Sequence, residues 1–249
     1  MKYGLQLYSA RDAAAKDYEG MLRAVSEMGY TLVESAGFYG KSAEEVKAML
    51  ENYSLTLVST HTGYGEVVDR LPETIAFHKA VGCRDIIIPG APLGTKEEVD
   101  RTVEAINRVL PVIEAEGLRL HYHNHSGEFL KNRDGIVAEY ELINRTKVGI
   151  ELDTFWAYNA GVDPVAFMDT YRDRISFIHL KDGIAEVPGD PNSHAVGRSL
   201  GLGNAPILKI REKAIALGIT MIVESEGLDP TGLEESKRCI DFLRSVDAE

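Results

Sequence analysis

The sequence has 249 residues, 44% of them hydrophobic and 27% charged, with 23 Gly, 9 Pro and 2 Cys. This is the composition of an ordinary folded globular chain, and it excludes extensive disorder. No apolar run approaches the roughly 18 residues a membrane helix needs, and the stretch before Asp12 is too broken by Gln6, Ser9 and Arg11 for a signal-peptide core. A cytoplasmic location is expected. With 39 acidic against 27 basic residues the net charge is -12, which repels phosphate backbones, so neither nucleic acid nor membrane is an expected partner. Cys83 and Cys239 lie far apart without CxxC spacing, which leaves no zinc ribbon or disulfide framework and predicts two buried free thiols.

In chain order, short β-branched or apolar runs at 3–8, 31–34, 55–60, 85–89, 118–124, 148–153, 175–180 and 220–224 predict strands. Segments with apolar residues three and four apart predict helices at 18–28, 43–53, 72–81, 96–116, 134–144, 164–172, 206–217 and 233–246. Gly29, Gly82, Gly117 and Gly218 each stand between a helix and the following strand, where a left-handed cap is expected. Eight βα units with no linker over about 250 residues predict a single-domain α/β chain, a (β/α)8 barrel spanning 1–249. A doubly wound sheet shares the alternation but usually has a glycine-rich first turn; here that turn reads Ser9-Ala10-Arg11-Asp12. The Gly- and Pro-containing stretch 183–204 reads as an extended loop over one end.

A parallel barrel carries its chemistry at the C-terminal strand ends, and polar residues gather there. Gln6 and Tyr8 close the first strand, Glu34 the second and His61 the third. His121, His123 and His125 lie on the fifth, Glu151 and Asp153 on the sixth, His179 and Lys181 on the seventh, Glu224 and Glu226 on the eighth. Residues two apart on a strand share a face, so these form convergent sets. Several carboxylates buried together require a cation or proton partner. Oxygen and imidazole donors without thiolate suit one divalent ion of Mn, Mg, Co or Zn.

The segments GLQLYSARD at 4–12, YHNHSGEF at 122–129, ELDTFW at 151–156 and HLKD at 179–182 resemble the xylose-isomerase-like TIM-barrel superfamily of sugar isomerases and epimerases, over nearly the whole chain. The resemblance implies a divalent metal held by acidic or His residues of strands five to eight. Asp153, His179 and Glu224 match three of these ligands. Where many relatives carry Glu on strand five this sequence has His121, the positional match for the fourth ligand, with His123 and Glu128 as alternatives. Pairing through barrel faces into a homodimer is also implied by resemblance.

A divalent ion chelating a carbonyl and its neighbouring hydroxyl stabilises an enediolate once a base removes the α-proton. Glu224 is one candidate base, with His123 or Glu128 facing it. Gln6, Glu34, His61, Trp156, Lys181 and Arg198 are the candidate contacts to a small carbohydrate substrate, with His194 and Arg198 placed to close over it and Asp182 in a structural role. Glu151 is expected to orient a His. The leading expectation is a metal-dependent isomerase or epimerase of a sugar, keto-sugar or polyol. The alternative is a dehydratase or lyase on a keto-sugar or keto-cyclitol, followed by a catalytically silent sugar-binding barrel. An abasic-DNA nuclease is disfavoured by the net charge and by too few acidic and His positions on strands two to four for a metal cluster.

Overall fold

The computed structural model describes residues 2–248. Eight strands run parallel and close on themselves: β1 (Gly4–Gln6), β2 (Leu32–Ala36), β3 (Thr56–His61), β4 (Asp85–Ile88), β5 (Arg119–His123), β6 (Gly149–Asp153), β7 (Ile175–Ala185) and β9 (Thr220–Glu224). Closure is made by β6 pairing β7, β7 pairing β9 and β9 pairing β1. This is the expected barrel. A doubly wound sheet would leave two open edges, whereas every one of these strands has a neighbour on each side.

The segment read as a loop after the seventh strand is partly sheet. β7 runs on to Ala185 and turns back as β8 (Ala195–Arg198), an antiparallel hairpin that places Asp182 opposite Arg198. Gly183 hides this from a pattern reading, but the strand needs it: a side chain there would collide with Phe155 and the Val196 carbonyl. The helix expected from 134 begins only at Ala138. Upstream, the Asn132 side chain accepts from the Asp134 and Ile136 amides, at 3.0 Å each, a local turn that competes with helix.

The other helices follow their caps. Asp17 accepts from the Gly20 amide, Ser42 and Glu45 form a reciprocal capping box, and Thr95 and Thr231 cap the two longest helices. Gly29, Gly82 and Gly218 end their helices in the left-handed region, as expected. Apolar helix faces cover the outside of the barrel. Inside, Ile87, Phe177 and Ile222 form a buried apolar layer, and the polar strand ends stand above it.

Candidate active site

The site is built one rung above that apolar layer. From β2, Glu34 is fully buried and receives the Gln6 amide (2.7 Å), the Ser59 hydroxyl, His179 Nε2 (2.7 Å) and His61 Nε2 (3.2 Å). Glu151 of β6 lies across from it. Its Oε2 is 2.8 Å from His61 Nε2, 3.1 Å from His123 Nδ1 and 3.3 Å from His179 Nε2. The other face of His179 points outward, with Nδ1 3.2 Å from Glu224 Oε2 and 3.9 Å from Asp153 Oδ2. Lys181, buried although a lysine, places its ammonium 3.0 Å from Glu224, 3.5 Å from Asp153 and against Glu226, with the Trp156 ring 4.7 Å away.

Strand alternation produces this convergence, because 151/153, 177/179/181 and 222/224/226 each share an inward face. Asn124 locks the β6 end in place: its side chain accepts from the Asp153 amide and donates to the Asp153 carbonyl. Asp153 Oδ1 then caps the short helix Thr154–Asn159 through the Trp156 amide, leaving Oδ2 turned to the site.

Electrostatics divide the cluster into proton donors and acceptors. Burial alone would raise Glu34, but the His61 and His179 charges overcome it and hold the carboxyl well below its ordinary range. Burial works against a charged His61, yet Glu34 and then Glu151 lift it to about 9; carboxylates likewise raise His179 against its burial. His123 moves the other way, well below the usual imidazole range, through burial and the charges of its His neighbours. Burial and Glu34 raise Glu151 to about 8. Burial raises Asp153 despite Lys181, while Lys181 and His179 hold Glu224 ionised against its burial.

Among the described residues two groups are compact enough to hold a metal: Asp153, His179 and Glu224, and His61, His123, Glu151 and His179, each with donor atoms within 4.8 Å of one another. The first fits a divalent cation by its chemistry, since it offers two carboxylate oxygens and an imidazole. Asp153 Oδ2 is also buried with no hydrogen bond, as a ligand atom would be. Above the donors opens a cavity of about 350 Å³ lined by His61, His123, His125, Glu224 and Glu226.

Several expected residues fall elsewhere. His121 is not in the cluster. Its Nε2 lies 2.8 Å from Asp85 Oδ1, deeper in the barrel, in the space left by the missing side chain of Gly149. Glu128 is also drawn away, because its carboxylate takes the Tyr122 hydroxyl (3.2 Å) and the His125 amide (2.9 Å) as the cap of a four-residue helix. Gln6 spends its amide on Glu34 and the Tyr8 amide, so it positions Glu34 from beneath. Arg198 lies on the hairpin with Nη1 on the Gly197 carbonyl, and His194 is exposed. Asp182 organises the crossover, accepting from the Gly183, Gly201, Gly203 and Ala205 amides. Glu151 is more central than its expected supporting role. Ser59 was not singled out, although it stands two residues before His61 on the inward face.

Residues 22–246 match the protein family described as Xylose isomerase-like TIM barrel. The chain belongs to this family. It is similar to the inosose dehydratase of Geobacillus kaustophilus (strain HTA426), 25% identical across 65% of this chain and 61% of that protein's length. It is also similar to the inosose dehydratase of Mesomycoplasma hyopneumoniae (strain 7448), 26% identical across 90% and 88%. Among solved structures, a sugar phosphate isomerase/epimerase from Parabacteroides distasonis ATCC 8503 superposes with a TM-score of 0.81 at 27% identity, covering 97% of each chain. The relatives are thus named as enzymes of sugar and cyclitol chemistry. No helix among the described residues of this family member is long and apolar enough to cross a membrane.

Proposed function

We propose that the protein is a metal-assisted dehydratase of a keto-sugar or keto-cyclitol. The observation that carries this reading is the pair of imidazoles, His61 and His123, held on one carboxylate oxygen of Glu151 and facing one cavity together with Glu224. Elimination needs an acceptor for a carbon-bound proton and a donor for a departing oxygen in the same place, and two linked imidazoles in opposite protonation states supply both. Asp153, His179 and Glu224 would hold the divalent ion, which would polarise the substrate carbonyl and offset the charge on its oxygen.

The residues divide the work as follows. His123 takes the proton α to the carbonyl. The electrons of that C–H bond form the new C=C bond, and the β C–O bond breaks. The departing oxygen receives the His61 proton and leaves as water, so no oxidant or reductant is required. Glu34, fixed by Gln6 and Ser59, keeps His61 and His179 oriented. Lys181, anchored by Glu224 and Glu226 and lying against Trp156, holds its charge behind the two cavity-lining carboxylates. The relatives named inosose dehydratase support this reading.

An isomerase or epimerase is the second reading. It is favoured by Glu224, an ionised carboxylate on a different strand from His123 that lines the same cavity and could return the proton to another position. One experiment tests both. The protein, purified without chelator and supplied with Mn, is incubated with inososes and ketoses in D2O and the products are read by mass. Loss of one water supports the dehydratase. An unchanged skeleton that gains deuterium supports the isomerase, and neither change with any substrate overturns both.

A further inference from the structure

A second cavity, of about 300 Å³, opens beside the first and shares His61 as a common wall. It lies between the loop after β2 and the helices Tyr64–Asp69 and Leu71–Val81. Its volume is near the lower end of small-molecule sites, about 300 Å³, and the catalytic groups described above do not use it beyond His61.

Three features define what it would hold. Phe38 and Phe77 meet there with ring centres 4.6 Å apart, giving a partly exposed aromatic wall of the kind that packs against the apolar face of a sugar ring. Its charges balance, Lys41 and Arg70 against Glu66 and Glu73, with Arg70 and Glu66 paired at 2.8 Å, and the charge of His61 on the shared wall is taken up by Glu34 and Glu151; a phosphate site would carry a clear positive excess. The third feature is a fixed line of neutral polar groups. His78 Nδ1 donates to the Thr74 carbonyl (2.7 Å), which makes Nε2 an acceptor for the Thr60 hydroxyl at 2.6 Å. Thr60 in turn lies 3.0 Å from the Thr62 hydroxyl. Thr62 therefore donates inward and keeps its lone pairs for a hydroxyl donor in the cavity it lines.

We propose that this cavity is a second sugar-binding subsite and that the substrate is a glycosylated keto-sugar, with its reactive ring at the metal centre and a neutral second ring beyond His61. The inference rests on the keto-sugar reading above for the reactive end only. A free monosaccharide would leave the aromatic wall and Thr62 unused, and a sugar phosphate would meet a neutral surface.

The test is calorimetric binding of fructose, fructose 6-phosphate and three disaccharides that carry a second ring on fructose, namely turanose, lactulose and isomaltulose. It is run on the parent protein and on Phe38→Ala and Thr62→Val, with melts confirming that both variants fold. The expected result is that at least one disaccharide binds about tenfold tighter than fructose, and that each variant erases most of this preference while changing fructose affinity by less than about twofold. Equal affinity for fructose and every disaccharide, a preference for fructose 6-phosphate, or a disaccharide preference that survives both variants overturns the subsite. Deuterium uptake into fructose from D2O is read separately. Water loss from fructose counts equally with uptake: either one without the preference sinks the subsite and keeps the α-proton chemistry, and preference with neither does the reverse.

Discussion

The two ends of the barrel use the same residue types to opposite effect. At the deep end His121 meets Asp85 at 2.8 Å, and Arg119 closes over the other carboxylate oxygen at 2.6 Å. One carboxylate has two partners, and their hydrogen bonds hold Asp85 low against its burial. At the upper end four buried carboxylates, Glu34, Glu151, Asp153 and Glu224, share His61, His123, His179 and Lys181, and oxygens of both Glu151 and Asp153 remain without a hydrogen bond. At the deep end both Asp85 oxygens are paired and the unpartnered atom is an imidazole nitrogen, His121 Nδ1, whereas the upper cluster leaves carboxylate acceptors orphaned, an arrangement suited to something that enters. His121 and His123 share a strand face two residues apart, and the layer alone separates their roles.

Removing a donor at the upper end should break the contrast most sharply. Asp153→Ala is expected to abolish metal retention, falling from about one equivalent to none by elemental analysis, with activity lost and the melting temperature lowered, because the Thr154–Asn159 helix also loses its cap. Next in size, His123→Ala should lower kcat by about 100- to 10,000-fold while metal content, measured on the same preparation, stays intact. His121→Leu tests the deep end. Because Asp85 keeps only Arg119, unfolding in urea should show a loss of about 1–3 kcal/mol, with turnover per folded molecule unchanged. A catalytic collapse in that variant would erase the distinction between the two ends.

A pH-dependent effect that leaves catalysis untouched lies outside both ends. Glu139 is buried, its Oε2 lacks a hydrogen bond, and burial followed by the Glu128 charge raises it to about 8. A folded-state value above the unfolded one gives stability that is full below the unfolded pKa, near 4.5, and is lost as pH rises through about 8. The gap between Glu139→Gln and the parent, measured by urea melts at pH 5 and pH 9, should therefore move in the variant's favour. No change in the gap would show that Glu139 is compensated.

The barrel was legible because each βα unit repeats the same two signals, a buried strand run and a capped amphipathic helix, and Gly29, Gly82 and Gly218 mark the returns. Asp153, His179 and Glu224 were legible as a set, since alternation on three neighbouring strands sends them to one mouth. Depth was not. Nothing in the order of residues 121–125 reveals that Gly149 opens room for His121 one rung lower, or that the His125 amide recruits Glu128 as a cap. The prominence of Glu151 likewise depends on three imidazoles arriving from β3, β5 and β7, a long-range meeting that no local pattern encodes. The hairpin was missed because glycine at 183 and 197 looks like loop, although the two are register partners.

Asp182 gives that hairpin a meaning beyond the present chemistry. One carboxylate gathers four amides from both sides of the crossover, so the residues between the two arms of the hairpin hang from a knot already tied at its base. Their tip, around residues 186–194, is almost entirely exposed. Such a segment can be lengthened, trimmed or exchanged without reaching Lys181 or His179. It is the first place an engineer would graft a new loop onto this barrel.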